Sequence, residues 1–237
     1  MNMHIIFKLN KKLDKIIALD FIHASLQEGV NFAKGIVNVH PKLKRVLKLS
    51  DTKKQKKVLD KYIDTFYKQY RIYLRKRTKD FSREWNNVEQ SFFATVHTLF
   101  HGFPFPKGEY VGYVSIFNCN PRFLADKTFQ VFYQHPAGVR YVTSHELLHF
   151  IFYNYTKKRF GRIFNGLNAE KGLWWDSAEI FNTVVLSSPE FVRIHGIKKI
   201  VSYPEHKKYI PRLRKLWQKN KNIDSLIKET VSLLRQK

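Results

Sequence analysis

The segment His145-Glu146-Leu147-Leu148-His149 contains two imidazoles and a carboxylate at a spacing that can bind and activate a metal ion. In a helix, residues four apart lie on one face, so His145 and His149 can present neutral ring nitrogens to one zinc ion. Glu146 lies beside the first of these ligands. A carboxylate there can act as a general base that takes the proton from a zinc-bound water. The segment therefore predicts a hydrolytic centre with Zn²⁺ as its cofactor.

The same five residues have a second interpretation as part of an ordinary buried helix. The chain has ten histidines, so the pattern can arise by chance, with one histidine bonded to main chain. The neighbouring residues make the helix apolar on nearly every side: Leu147, Leu148, Phe150, Ile151 and Phe152. Imidazoles and a carboxylate in such a helix are costly unless something satisfies them. A bound metal ion does so, which favours the metal site.

The start of the motif helix decides whether Glu146 is available for chemistry. Residues 143–146 read Thr-Ser-His-Glu, a capping box that would start the helix at position 143 and engage Glu146 with main chain. We prefer a start near Pro136, because proline is favoured at the first helical position and Val139 and Val142 continue the apolar pattern. Glu146 is then a mid-helix residue.

A helix with this motif resembles that of the zincin metallopeptidases, in which it lies beside a small, mostly antiparallel sheet. Zincin subclasses differ in the third metal ligand. Metzincins and the DNA-associated SprT-like proteases use a further histidine downstream, but the next histidine after His149 is His195. Gluzincins instead take a glutamate from a following helix, and this type fits the sequence better. The Gly-rich exopeptidase signature of that clan is missing, which favours an endopeptidase.

Under this resemblance the third ligand is one of three carboxylates: Glu170, Asp176 or Glu179. Glu170 falls among asparagines and glycines that indicate a loop, and a ligand needs a rigid support. Glu179 follows His149 by 30 residues and belongs to a helical stripe formed by Trp174, Ala178, Phe181 and Val185. We therefore predict His145, His149 and Glu179 as metal ligands and Glu146 as the catalytic residue, with Asp176 and Glu170 as alternatives.

The resemblance also implies residues that assist the ligands. Asn182, one turn after Glu179, can orient His145 or His149. Gluzincins usually add a tyrosine or histidine that stabilises the oxyanion, and the candidates are His195, Tyr203, His206 and Tyr209. Zincin substrates pair with an antiparallel edge strand, for which residues 128–133, TFQVFY, are the candidate.

Residues 1–80 are predicted to form basic helices. One apolar stripe recurs there at spacings of three and four and is formed by Val58, Leu59, Tyr62, Ile63, Phe66, Tyr70 and Tyr73. Such a stripe usually faces a core. Because its rings alternate with Lys and Arg, it can also stack on single-stranded bases.

The remaining segments supply a small sheet and further helices. Residues 83–100 predict a helix ended by Gly102 and Pro104, and residues 110–117 and 128–133 predict two short strands joined by a loop. The pattern is helical again from residue 174 onward. We therefore predict an α+β, predominantly helical fold in one domain, with a basic helical region at 1–80, a zincin-like core at 81–200 and C-terminal helices at 201–237.

Composition limits the partners of the protein. A single cysteine, Cys119, excludes internal disulfides and thiolate zinc sites.

The net charge is +24, which attracts nucleic acid, anionic membrane or acidic substrates, although its even dispersal over the chain is also typical of solvated lysines.

The expected localisation rests on two features that we do not find in the sequence. No stretch approaches the roughly twenty apolar residues that span a bilayer, and the N-terminus lacks a signal pattern, so we expect a cytoplasmic protein. The sequence as a whole predicts a zinc-dependent metallopeptidase acting on a peptide or protein substrate. The alternative is a basic nucleic-acid-binding protein with a structural or inactive zincin-like core.

Overall fold

The computed structural model describes residues 3–24 and 30–236, most of which are helical, together with one four-stranded mixed sheet. This confirms the prediction of an α+β, predominantly helical fold. The chain divides into two units. Unit 1 consists of Met1–Asn86 and Glu109–Val139, and unit 2 consists of Asn87–Gly108 and Arg140–Lys237. The expectation of a single domain stays a prediction.

Unit 1 combines the sheet with the N-terminal helices. Its elements are β1 (Ile5–Leu9), α1 (Lys11–His23), α2 (Phe32–Val39), a 3-10 helix (Pro41–Lys48), α3 (Thr52–Gln69), the first part of α4 (Arg71–Leu99), β2 (Tyr110–Ser115), β3 (Arg122–Phe123) and β4 (Thr128–Phe132). The side chains of Asn10, Asn31 and Asp51 start α1, α2 and α3 by accepting main-chain N–H bonds that the first helical turn leaves unpaired.

The sheet is mainly parallel, so the prediction of a mostly antiparallel sheet was wrong. Its strand order is β1-β2-β4-β3, in which β1 and β4 both pair in parallel with β2, and only β3 runs antiparallel. Gly112 in the central strand lies between Phe7 and Phe129, whose rings pack edge to face at 6.4 Å. A Cβ atom at position 112 would lie 2.6 Å from the Phe7 ring, so glycine is required for this packing.

The strand TFQVFY is β4, and the prediction that it forms a free sheet edge was also wrong. The side of β4 away from β2 is occupied by the preceding segment, where Arg122 and Phe123 pair with the start of the strand. The N–H of Gln130 donates to Pro121 O at 2.9 Å, and that of Phe132 donates to Asn120 Oδ1 at 2.7 Å. These bonds leave no row of main-chain groups on which a substrate strand could pair with β4.

Among the described residues of 1–80, α1, α2, the 3-10 helix, α3 and the start of α4 are helical as predicted, whereas β1 is not and the apolar stripe is broken. Residues 1, 2 and 25–29 of this predicted region lie outside the described residues. β1 is a five-residue strand whose apolar run resembles the start of a helix. The stripe is interrupted at Tyr70, where α3 ends and α4 begins, and α4 continues to Leu99 through the helix predicted at 83–100. Leu59 and Ile63 are buried, whereas Tyr70 and Tyr73 are each 40% exposed.

The regular secondary structure of unit 2 is entirely helical among its described residues. It contains the rest of α4, α5 (Gly138–Arg159, from residue 140), α6 (Gly161–Phe164), α7 (Leu173–Leu186), α8 (Pro189–His195), a 3-10 helix (Pro204–His206), α9 (Ile210–Asn220) and α10 (Ile223–Arg235). Every residue of α7 from Trp175 to Leu186 is buried, and α8, α9 and α10 pack against it. None of the helices among the described residues is long and apolar enough to cross a membrane.

A buried carboxyl group links the helices of unit 1 to its sheet. Asp14 of α1 is fully buried and accepts hydrogen bonds from Ser115 Oγ at 2.6 Å, Tyr67 Oη at 2.7 Å, Gln130 Nε2 at 2.9 Å and Ile116 N at 3.2 Å. Burial raises the pKa of Asp14 to about 6, because the loss of hydration outweighs the four hydrogen bonds that favour the ionised form.

This pKa predicts a pH-dependent loss of stability that Asp14→Asn should remove. Between about pH 4 and pH 6 the unfolded chain loses the Asp14 proton while the folded chain keeps it, so rising pH lowers the free energy of unfolding by about 3 kcal/mol. Urea unfolding of both proteins from pH 4 to pH 7 measures the difference. Asp20→Asn, at an exposed position of α1, is the matched control and should keep the wild-type pH dependence. An Asp14→Asn variant that also keeps it would contradict the prediction.

Candidate metal centre

The motif residues lie in the middle of α5, as expected from a helix start near Pro136. The helix begins at Gly138 and continues to Arg159, so the capping-box start at residue 143 is excluded and Glu146 is a mid-helix residue. His149 is completely buried and Glu146 is 5% exposed, whereas the His145 side chain is 19% exposed. Solvent therefore reaches the motif from the side of His145.

The predicted third ligand meets the two histidines. Glu179 is 4% exposed and lies in α7, with one carboxylate oxygen 3.3 Å from His145 Nε2 and the other 3.2 Å from His149 Nε2. The two Nε2 atoms are 3.0 Å apart. The ligand atoms of His145, His149 and Glu179 thus lie within 4.8 Å of one another, which makes this group a candidate metal site.

These separations match the coordination geometry of zinc. Zinc binds histidine nitrogen at about 2.0–2.1 Å and carboxylate oxygen at about 2.0–2.2 Å, so ligand atoms at two corners of a tetrahedron are about 3.3 Å apart. The observed distances of 3.0, 3.2 and 3.3 Å lie close to that value. Two imidazoles and one carboxylate are also a donor set that catalytic zinc sites use. The residues present therefore fit a zinc ion.

Hydrogen bonds alone account less well for the same three contacts. A ring nitrogen carries either one proton or one lone pair. When Glu179 is ionised and both Nε2 atoms are protonated, each ring can donate to the carboxylate, but the contact between the two rings has no acceptor. When one ring instead donates to the other, one of the two carboxylate contacts has no donor. A cation instead satisfies the lone pairs of His145, His149 and Glu179 together.

The charge state of Glu179 is suited to ligation. Burial by itself raises the pKa of this carboxyl group, but the facing imidazoles of His149 and His145 outweigh burial and hold the pKa well below its usual range. The group is therefore an anion in a nearly solvent-free position. An anion buried to this degree needs a positive partner close by.

Contacts between α5 and α7 hold the three side chains in register. Asn182 Nδ2 donates to the main-chain oxygen of His145 at 2.9 Å, and Trp174 Nε1 donates to Thr156 Oγ1 at 2.9 Å. The Asn182 side chain is fully buried. Asn182 was predicted to orient His145 or His149, and its bond goes to the main chain of His145, so it positions the backbone of the motif helix.

Two tyrosines near the site were missed by the sequence analysis. Tyr141 packs against His145 with ring centroids 6.1 Å apart, and Tyr153 stacks on His149 at 5.9 Å and 19°. Burial raises the pKa of Tyr141, and the carboxylates of Glu179 and Glu146 raise it further, so its hydroxyl lies in their field. Residues 141, 145, 149 and 153 are spaced by four, and this helical periodicity could have found both rings.

Of the two alternative carboxylate ligands, Asp176 bonds another residue and Glu170 lies in an exposed turn. Asp176 lies one turn before Glu179 on α7, where its Oδ1 accepts a hydrogen bond from Nε2 of the fully buried His206 at 2.8 Å. Glu170 is exposed in the predicted turn, where its N–H donates to Asn168 Oδ1 at 2.7 Å.

The candidates for oxyanion stabilisation are also engaged in the packing of unit 2. His195 is buried, and its two ring nitrogens bond the main chain of Leu186 and Ile197, both at 3.0 Å. Tyr203 packs its ring on Trp175 at 4.9 Å, and Tyr209 is buried just before α9. His195, His206 and Tyr209 are therefore not surface residues.

Comparisons with protein-family models, with curated proteins and with solved structures find no match for this chain. The class that the site itself defines is a His-His-Glu centre between two buried helices, with a second carboxylate beside the first histidine. Any assignment of function must come from this geometry.

Zinc titration tests the site directly. The metal-free protein should take up one equivalent of Zn²⁺, and bound metal should raise the melting temperature by mass action. Loss of a ligand in His149→Ala or Glu179→Gln should weaken affinity by at least about a hundredfold, measured by competition with a chromophoric zinc indicator. Glu170→Gln and Asp176→Asn are the carboxylate controls and should bind as wild type. Failure of the wild-type protein to take up zinc, or His149→Ala binding at full affinity, would overturn the site.

Proposed function

We propose that this protein is a zinc-dependent metallopeptidase of the gluzincin type. The observation that carries the proposal is the convergence of His145, His149 and Glu179 within 4.8 Å, with Glu146 beside them on the motif helix. The motif and the third ligand lie on different helices, and Glu179 follows His149 by 30 residues in the sequence. A chance motif in a structural helix does not require a buried glutamate to meet both histidines.

The residues divide into a group that holds the metal and a group that acts on the substrate. His145, His149 and Glu179 would hold Zn²⁺, which when bound lowers the pKa of water and polarises a peptide carbonyl. Glu146 is assigned to the second group, because the three converging side chains do not include it. Its place on the motif helix next to a ligand supports a role as general base.

Glu146 carries the proton through the reaction. Its carboxylate takes a proton from the attacking water as the oxygen forms a bond to the peptide carbon. The protonated Glu146 then donates to the amide nitrogen as the carbon–nitrogen bond breaks, so the products are a carboxylic acid and an amine, which exchange a proton to become a carboxylate and an ammonium ion. The enzyme returns to its starting protonation state.

Tyr141 supplies a hydrogen-bond donor on the accessible side of the site. Its ring lies against His145, the ligand that retains the most exposure, and we assign its phenol O–H to the carbonyl oxygen of a bound substrate. A donor aimed at the developing oxyanion contributes several kcal/mol in other acyl-transfer enzymes. Tyr141 takes this role in the proposal in place of Tyr203, His206, Tyr209 and His195.

The substrate is proposed to be a peptide or protein cleaved internally. The proposal does not use the pairing of a substrate with β4, since that strand is bonded on both sides. Substrate contacts are instead expected at the His145 and Tyr141 end of the site, where the cluster is open to solvent.

The test is Glu146→Gln in the zinc-loaded protein. Glutamine keeps the size of the side chain but cannot accept the proton, so hydrolysis of fluorescein-labelled casein should fall by at least about a hundredfold. Zinc content and melting temperature should stay at the wild-type values. Glu170→Gln, the same change at an exposed turn, is the matched control and should keep full activity.

Two results would contradict the proposal. If zinc-loaded wild-type protein does not cleave casein, the metal is structural and the enzymatic part fails. If Glu146→Gln releases zinc, Glu146 is a ligand and not a base.

A further inference from the structure

Unit 1 contains an open groove that the proposed peptidase activity does not use. The groove has a volume of about 790 Å³ and lies between the 3-10 helix, α3, the start of α4 and the residues after β4. Its size falls in the range of about 300–1,000 Å³ in which proteins bind small molecules. We call it the tyrosine groove, after the aromatic side chains that line it: Tyr62, Phe66, Tyr70, Tyr73 and Tyr133.

The aromatic rings of the groove form one connected series. The rings of Phe66 and Tyr70 lie 4.5 Å apart at 39°, and those of Tyr62 and Phe66 lie 6.2 Å apart at 40°. Tyr133 joins the series through Phe66 at 6.2 Å and through Tyr73 at 5.9 Å. Tyr70 and Tyr73 are each 40% exposed, so their rings can still stack on a ligand.

The charged residues that line the groove all carry the same sign. Lys42, Arg45 and Lys61 line it, and its lining includes no carboxylate. The acidic neighbours of Lys61 on α3 have other partners, because Asp60 pairs with Lys56 at 2.6 Å and Asp64 pairs with Lys11 and Lys15. Among the residues that the structure describes, no carboxylate forms an ion pair with the three groove cations. These cations are available to an anionic ligand.

A buried histidine holds one tyrosine hydroxyl of the groove in place. His40 Nε2 donates to the main-chain oxygen of Ile116 at 2.7 Å, so Nδ1 accepts from the Tyr62 hydroxyl at 2.8 Å. Burial lowers the pKa of His40 and keeps the imidazole neutral. Burial also raises the pKa of Tyr133, and the neighbouring tyrosines raise it further, so the phenols lie close together and stay protonated.

We propose that the tyrosine groove binds single-stranded nucleic acid, with bases stacked on Tyr70 and Tyr73 and phosphates beside Lys42, Arg45 and Lys61. Stacked rings beside a track of cations are the two features that non-specific single-strand binding requires. Paired bases cannot stack on the exposed rings, because their faces are covered within the duplex. An acidic peptide matches the cations but leaves the rings without a stacking partner.

The binding test must separate the groove from the net charge of +24, which attracts any polyanion. Fluorescence anisotropy with fluorescein-labelled oligo(dT) of about 20 nucleotides measures affinity at several salt concentrations. Tyr73→Ala and Tyr70→Ala should each weaken binding by about tenfold or more, because stacking contributes roughly 1–3 kcal/mol per base. Tyr73→Phe keeps the ring and is the matched control, which should bind within about twofold of wild type.

A pair of lysine variants tests the phosphate contacts. Lys61→Ala should weaken binding and reduce the slope of log K against log salt by about 0.7. Lys79→Ala removes the same charge from an exposed position of α4 that does not line the groove, and it should leave the slope unchanged. Far-ultraviolet circular dichroism and the melting temperature report whether each variant is folded.

Four outcomes would overturn the proposal. If both Tyr70→Ala and Tyr73→Ala are folded and bind as wild type, or if Lys61→Ala and Lys79→Ala behave alike, binding comes from diffuse charge. If duplex DNA binds as tightly as oligo(dT), stacking is not involved. If polyglutamate of the same charge competes as effectively as unlabelled oligo(dT), the groove selects acidic peptides.

Discussion

The burial of ionisable groups between α5 and α7 is the constraint on which the candidate site depends. A carboxylate and two imidazoles lie in a tightly buried helical core, and each would be strongly destabilising there alone. Their mutual contacts of 3.0–3.3 Å reduce this cost, and a divalent cation bound among them would reduce it further. Metal binding at this candidate site would therefore be coupled to the stability of unit 2.

This constraint explains why both helices are so tightly fixed. α7 is buried from Trp175 to Leu186, and its Asn182 bonds the backbone of α5 at His145. A carboxylate on such a helix has little freedom, so the donor atoms of the candidate site are already close together. The tyrosines at positions 141 and 153 extend the same face of α5 by one turn in each direction and pack on the imidazoles.

The two units carry different kinds of chemistry. The polar cluster of unit 2 consists of lone-pair donors in a nearly dry environment, which suits a cation. The groove of unit 1 consists of exposed rings and cations, which suits an aromatic polyanion. The high net positive charge of the chain raises the local concentration of any acidic partner around both units.

Local patterns in the sequence were enough to predict His145, Glu146 and His149 on one helix, because the positions of these residues relative to one another follow from helical periodicity alone. Glu179 could be preferred over Glu170 for a similar reason, since a packed helical stripe and a glycine-rich turn are both local features. The direction of β1 and the pairing on both sides of β4 could not be predicted, because they depend on hydrogen bonds between distant segments. The meeting of Glu179 with the histidines, the role of Asn182 and the assembly of the tyrosine groove were likewise decided only by tertiary packing. A sequence pattern specifies which face of a helix a side chain occupies, but it does not specify which other helix that face will contact.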